Sequence, residues 1–147
     1  MSERRRFQRP IRHVVFYGTL RAGYAAHVRL KLRAALRYVG KCTLAGSLYD
    51  LGPYPGFVPG AGTAEGEIYW LKDSAILAGL DAFEGFDARR PERSRFVRKL
   101  VRVPRTAHGS AIRLIAWIYV WNGVTARRRK VPGGLWPRDR RPRHARK

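Results

Sequence analysis

Cysteine is nearly absent from this chain. Cys42 is the single one, so no disulfide framework can form within it. The four histidines, His13, His27, His108 and His144, lie far apart in sequence and form no Cys/His cluster at zinc-ligand spacing. No metal and no cofactor is therefore expected. No run approaches the roughly 20 apolar residues of a membrane helix. The apolar run behind the basic N-terminus, Val14 to Phe16, is too short for a signal h-region. A cytoplasmic protein without membrane association is expected. No G-x-S-x-G elbow, Walker loop or Rossmann glycine pattern occurs. Acidic residues are scarce too, with ten against 31 lysines and arginines and a net charge of +21. That scarcity makes the candidate carboxylates few enough to weigh one by one.

What is present is a globular composition, 45% hydrophobic and 12% aromatic, over a length that suits one domain with a real core. The charge collects at the ends. Arg4, Arg5, Arg6, Arg9 and Arg12 open the chain, and Arg138, Arg140, Arg141, Arg143, Arg146 and Lys147 close it. Residues 1–12 read as a disordered basic arm, 13–136 as the folded domain and 137–147 as a basic tail. Such ends can touch nucleic acid weakly and transiently. They carry no interleaved aromatics for base stacking. The same bias also follows from arginine drift in unconstrained tails.

The spacing of apolar residues predicts strands at His13–Tyr17, Lys41–Tyr49, Thr63–Leu71, Ser94–Val103 and Ile112–Trp121, with a short one at Phe57–Val58. The last of the long strands is nearly all apolar and is expected to be central and buried on both faces. Helices are predicted over Ala25–Leu36, ended by Gly40, and from Asp73 to Glu84-Gly85. Gly60 to Gly62 and His108 to Ser110 read as turns. Val131 to Trp136 is too apolar for a tail and is expected to dock on the domain. Strands outnumber helices, which points to an α+β domain built on a small mixed β-barrel flanked by helices.

The chain is organised around Val14-Val15-Phe16-Tyr17-Gly18-Thr19-Leu20-Arg21-Ala22-Gly23. A β-branched and aromatic run stops at Gly18, the residue that lets backbone turn sharply or approach a ligand. Such a turn can aim backbone N–H groups at a carboxylate or phosphate. It can equally be an ordinary strand-to-helix connection.

Among the acids, Asp73 reads as a helix cap and Asp50 as a turn residue. Glu84 stands out by position. It closes a short apolar helix, follows Phe83 and precedes a helix-ending Gly85. The negative end of the helix dipole disfavours a carboxylate there, and desolvation raises its pKa further. Both effects suit a general base or acid. A solvent-facing Glu in the last turn is the plainer alternative. No paired nucleophile and base is evident, so a site made of Gly18–Leu20 and Glu84 needs a substrate that carries its own nucleophile.

Six segments stand in one order: Val15-Phe16-Tyr17-Gly18-Thr19-Leu20-Arg21, Leu48 to Gly56, Gly66-Glu67-Ile68-Tyr69, Leu80-Asp81-Ala82-Phe83-Glu84-Gly85-Phe86, Ser94-Arg95-Phe96-Val97-Arg98, and Ala116-Trp117-Ile118-Tyr119-Val120. The series resembles the γ-glutamylcyclotransferase-like family, which includes the γ-glutamylamine cyclotransferases and the AIG2-like proteins. The resemblance covers roughly residues 13–136 and implies a small β-barrel with flanking helices. It implies that the loop Tyr17, Gly18, Thr19 and Leu20 holds the α-carboxylate of a γ-glutamyl group, and that Glu84 is the catalytic base. Tyr119 would add a hydroxyl, although a strand tyrosine is also ordinary core. The reaction implied is metal-independent release of 5-oxoproline and a free amine from a small-molecule γ-glutamyl amine or peptide. The alternative is a catalytically silent member that binds a small carboxylate and contacts nucleic acid through its basic ends. The loop Pro53-Tyr54-Pro55-Gly56 and the segment around Trp136 are the expected specificity elements.

Overall fold

The computed structural model describes residues 10–21, 27, 31–107 and 110–137. Six strands form one sheet in the order β4-β5-β1-β3-β2-β6, where β1 is His13–Phe16, β2 Leu36–Asp50, β3 Pro55–Leu71, β4 Phe96–Ala107, β5 Ser110–Trp121 and β6 Arg129–Lys130. β1 runs antiparallel to β3 and parallel to β5, and β5 also touches β3 directly at Phe57↔Val120. The sheet curls into a half-barrel, mixed in strand direction as the sequence predicts.

β1 sits between β5 and β3, so both of its edges are paired, and its two faces are buried in different clusters. Val15 packs with Leu44, Leu48, Phe57, Ile68, Ile118 and Trp136 on one side. Val14 and Phe16 pack with Leu32, Leu71, Leu80 and Tyr119 on the other, beneath the helices. A period of two delivers adjacent residues to opposite cores. Each such side chain buried in full contributes roughly 1.5–3 kcal/mol.

The long strands are where the structure departs from the spacing. β2 and β3 pair over nearly their whole lengths, from Leu36↔Leu71 to Asp50↔Pro55. Of the helix expected over Ala25–Leu36, residues 25, 26 and 28–30 lie outside the described residues; His27 is helical, Leu32–Ala35 form α1, and Leu36 already belongs to β2. Gly40 does not end a helix. It lies inside β2 beside an irregularity in register between Tyr38 and Gly40. Tyr38 and Val39 favour the pleated surface, and β3 pairs on either side of Val39, at Tyr38↔Tyr69 and Gly40↔Ile68. Phe57–Val58 is the start of β3, not a separate strand. Gly60 to Gly62 form no turn between strands, because Gly46 pairs with Pro59 and Ala45 with Thr63, leaving residues 60–62 as a bulge.

β4 and β5 pair without interruption from Phe96↔Trp121 to Ala107↔Ser110. The turn between them, at His108 and Gly109, lies outside the described residues. Among the described side chains of β5, Ala116, Ile118, Tyr119 and Val120 are buried, whereas Ile115 is 44% exposed, so burial on both faces holds toward its end. Arg12, assigned to the arm, is attached to the sheet. Its guanidinium donates to the Leu71 and Lys72 carbonyls and lies 4.7 Å from the Trp70 ring centre. At the other end β6 adds to β2, and Trp136 docks in the core at 1% exposure. Most of the terminal arginines fall outside the described residues. Among the described residues no helix is long and apolar enough to cross a membrane.

Candidate active site

β1 leads directly into the turn at Tyr17–Arg21. The Arg21 N–H closes it on the Gly18 carbonyl at 3.1 Å. Gly18 is required by contact: a Cβ there would stand 2.8 Å from Cγ and Cδ of Pro55, inside van der Waals distance. Arg21, given no part by the sequence reading, is buried at 3% exposure. Its Nε donates to the Gly18 carbonyl at 3.2 Å and its Nη2 to the carbonyl of Trp136. One side chain thus staples the turn to the C-terminal segment. His27 supports the same turn, its Nδ1 lying 2.8 Å from the Leu20 carbonyl. A carbonyl only accepts, so that nitrogen carries the proton.

The Tyr17 hydroxyl donates to the Tyr119 carbonyl at 2.6 Å and accepts the Phe57 N–H at 3.2 Å. It ties the end of β1 to β5 and β3. Burial, and then the Glu84 charge, push its pKa well above the ordinary phenol value, so it stays neutral.

α2 (Ile76–Glu84) begins after Asp73, whose Oδ1 accepts the Ala75 N–H at 3.0 Å. Leu80 anchors it in the core. Gly85 ends it with φ of 71°, a left-handed conformation that glycine adopts freely. Its N–H and that of Phe86 both return to the Asp81 carbonyl. This fixed last turn leaves Glu84 half-buried on the wall of a cavity. Desolvation lifts its carboxyl to about 7, against the opposing pull of the Arg95 guanidinium.

Beside Glu84 is a group that sequence reasoning missed. The Tyr119 hydroxyl donates to Asp81 Oδ1 at 2.6 Å. Arg98 grips the same carboxylate with two bonds, Nε to Oδ1 at 2.8 Å and Nη2 to Oδ2 at 3.2 Å. The guanidinium in turn lies 4.3 Å from the Trp117 ring centre. Asp81 and Glu84 share a helical face at a spacing of three, which was the available signal.

The cavity encloses about 210 Å³ and is lined by the backbone turn Tyr17–Leu20, by Glu84 and Tyr119, and by Tyr54, Pro55, Phe83, Arg95 and Phe96 among others. Every predicted site residue reaches it: Tyr17, Gly18, Thr19, Leu20, Glu84 and Tyr119. Tyr54 and Pro55 bring the rigid loop to its wall. Trp136 does not line it, because its indole fills the core and its carbonyl serves Arg21. Cys42 is core as well, its thiol pushed up to about 12 by burial. Among the described residues no three His, Cys, Asp or Glu side chains group as metal ligands.

Residues 14–138 match the gamma-glutamyl cyclotransferase, AIG2-like family. The chain belongs to this family. A Vibrio cholerae gamma-glutamylcyclotransferase, so named provisionally, is 34% identical over 128 residues, covering 86% of this chain and 96% of that protein. The gamma-glutamylcyclotransferase family protein YtfP of Escherichia coli K12 is 38% identical over 89 residues, 60% of this chain and 66% of its own length. This chain therefore spans about two thirds of that relative. The gamma-glutamylcyclotransferase-like fold is also seen in the solution structure of Escherichia coli YtfP, with TM-score 0.58 at 28% identity over 84% of this chain and 95% of that one. It recurs in an AIG2-like protein from Mus musculus, with TM-score 0.64 at 22% identity over 90% and 100%.

Proposed function

We propose that this protein is a γ-glutamylcyclotransferase whose general base is Glu84. The observation that carries the reading is the meeting, in one small cavity, of an unusually basic carboxylate and a tight backbone turn. Among the described residues the N–H groups of Thr19 and Leu20 have no hydrogen-bond acceptor. They suit the α-carboxylate of a γ-glutamyl group. The α-nitrogen of that group supplies the nucleophile that the protein lacks.

The chemistry is intramolecular. Glu84 takes a proton from the α-ammonium, and the freed amine attacks the γ-carbonyl carbon. A ring C–N bond forms and the original amide C–N bond breaks. In all, two protons leave the α-nitrogen and two reach the departing amine, and a carboxyl near 7 can carry them one at a time. The products are 5-oxoproline and the protonated amine. The cavity contributes a folded substrate in which the reacting atoms are already close, and a positioned base. The neutral Tyr119 hydroxyl, fixed by Asp81, supplies a polar point on the wall for the substrate.

The test is release of 5-oxoproline from a panel of γ-glutamyl amines and peptides, with Glu84→Gln beside the unaltered protein. Loss of a base of this kind lowers the rate at least about a hundredfold. Equal rates for the two proteins would remove Glu84 from the mechanism. No release from any substrate would remove the activity.

A further inference from the structure

One cation at the cavity is left over by this chemistry. Arg95 lines the cavity yet is exposed to solvent, which places its guanidinium at the mouth. Its backbone is fixed on both sides, the N–H by the Gly85 carbonyl at 3.1 Å and the carbonyl by the Asn122 N–H at 3.1 Å. The side chain lies along Gly85, with Nε and Nη2 each 3.3 Å from where a Cβ would be. Nη1 donates to the Tyr54 hydroxyl at 3.2 Å, tying the guanidinium to the Pro53–Pro55 loop. Among the described residues it forms no salt bridge; Arg98, three residues on, is the arginine that meets Asp81. A guanidinium has five donors in a rigid fork. Among the described residues one of them is engaged, by Tyr54, while the charge also acts on Glu84.

We infer that Arg95 is a specificity-determining residue that selects a leaving amine bearing a carboxylate, so that γ-glutamyl-α-amino acids are favoured over γ-glutamyl amines. The inference rests on the cyclotransferase reading, because it takes the γ-glutamyl end as the enclosed end. With the α-carboxylate on the turn at Gly18–Leu20 and the α-amine at Glu84, the scissile amide lies between them and the mouth. The leaving group then extends toward Arg95 and Tyr54. A carboxylate one carbon from the departing nitrogen is met by a guanidinium already immobilised, which limits the ordering cost of the contact. A cationic leaving group meets repulsion at the same place.

Arg95 has two other conceivable uses, and each predicts something different. If it served only to moderate Glu84, its removal would affect all substrates alike. If it held the γ-glutamyl α-carboxylate, the loss would again be uniform. Selection of the leaving group changes the ratio between substrates.

The experiment compares γ-glutamylalanine with γ-glutamylethylamide, which differ by that carboxylate alone, in the unaltered protein, Arg95→Gln and Arg95→Lys. A preference in kcat/KM of roughly tenfold for γ-glutamylalanine is expected, carried in KM, as for a charge-assisted hydrogen bond at a partly open site. Arg95→Gln should erase the preference, and Arg95→Lys should restore part of it. Equal preference in Arg95→Gln, or an equal loss on both substrates, overturns the inference. Calorimetric titration of the same two ligands separates this from the activity itself. Absence of turnover with tighter, Arg95-dependent binding of γ-glutamylalanine rejects the catalytic reading and keeps the selection. Turnover without any difference in binding or rate keeps the catalytic reading and rejects the selection.

Discussion

The hydroxyl of Tyr119 and the carboxylate of Asp81, 38 residues apart in sequence, meet at 2.6 Å. This bond joins the strand at the floor of the cavity to the helix that carries Glu84. Burial first, and then the bond to Asp81, keep Tyr119 protonated far beyond physiological pH, so its proton stays on the bond. Arg98 completes the contact from β4. The last turn of α2 is thereby set by a side-chain latch as well as by the glycine that ends it.

Breaking that latch should show in both stability and rate. Asp81→Ala leaves Arg98 without its carboxylate and Tyr119 without its acceptor, at a cost of about 1–3 kcal/mol. The melting temperature should fall by several degrees, with a lower rate of 5-oxoproline release. Tyr119→Phe removes only the hydroxyl and should cost less. A double-mutant cycle on stability should give a coupling of about 0.5–3 kcal/mol. Strict additivity would show that the 2.6 Å contact carries no energy of its own.

The carboxyl of Glu84, raised to about 7 by burial, gives catalysis a definite pH dependence. The base must be ionised, so kcat/KM should rise with pH and level off above about 7. A profile already flat from pH 5 would mean that Glu84 is not the titrating base.

The same group should act on stability with the opposite sign. Its folded pKa lies above the ordinary value of 4.5, so between 4.5 and about 7 the folded protein binds more proton than the unfolded chain. Stability at this residue is then fully present below 4.5 and declines as pH rises through about 7. Urea midpoints taken across that range should fall more steeply for the unaltered protein than for Glu84→Gln. Parallel curves would contradict the burial of this carboxyl.

Gly18→Ala should be harmful although it adds one methyl. The new Cβ would lie 2.8 Å from the Pro55 ring, which cannot swing aside. Overpacking of this kind costs about 1–3 kcal/mol and shifts the turn that faces the cavity. Thermal melts should show the loss and KM should rise. A variant with unaltered melting and KM would mean that the approach of these two segments is not needed.

Cys42 should be inert in the folded protein. The residue is 7% exposed, and burial pushes its thiol up to about 12. A disulfide reagent at pH 8 should modify it far more slowly in buffer than in urea. Rapid modification of the native protein would place Cys42 outside the core.

Much of the site could be read from the sequence because its signals are local. Val14 to Phe16 cannot avoid being a buried strand, Gly18 marks a backbone that comes close to something, and Gly85 ends a helix just after Glu84. The Asp81–Arg98–Tyr119 group could not be read this way, since its members come from a helix and two strands that only the folded sheet brings together. Arg21 was hidden for the same reason. Its arginine character suggests surface, and in the fold it is buried where the Trp136 carbonyl arrives from the far end of the chain.

The sequence by itself determined the β1 strand, the turn at Gly18, the apolar helix ending at Glu84 and the family to which they belong. The first three depend on residues within one or two turns of chain, where backbone preference and apolar period act directly, and the family rests on six short segments in one order. Tertiary structure alone decided that Gly40 would lie within a strand and that Trp136, expected to dock, would fill the core and not line the cavity. It also decided that Arg95 would stand at the cavity mouth. These outcomes depend on long-range pairing between β2 and β3 and on the closing of the sheet. A propensity read along the chain does not contain the partner that overrides it.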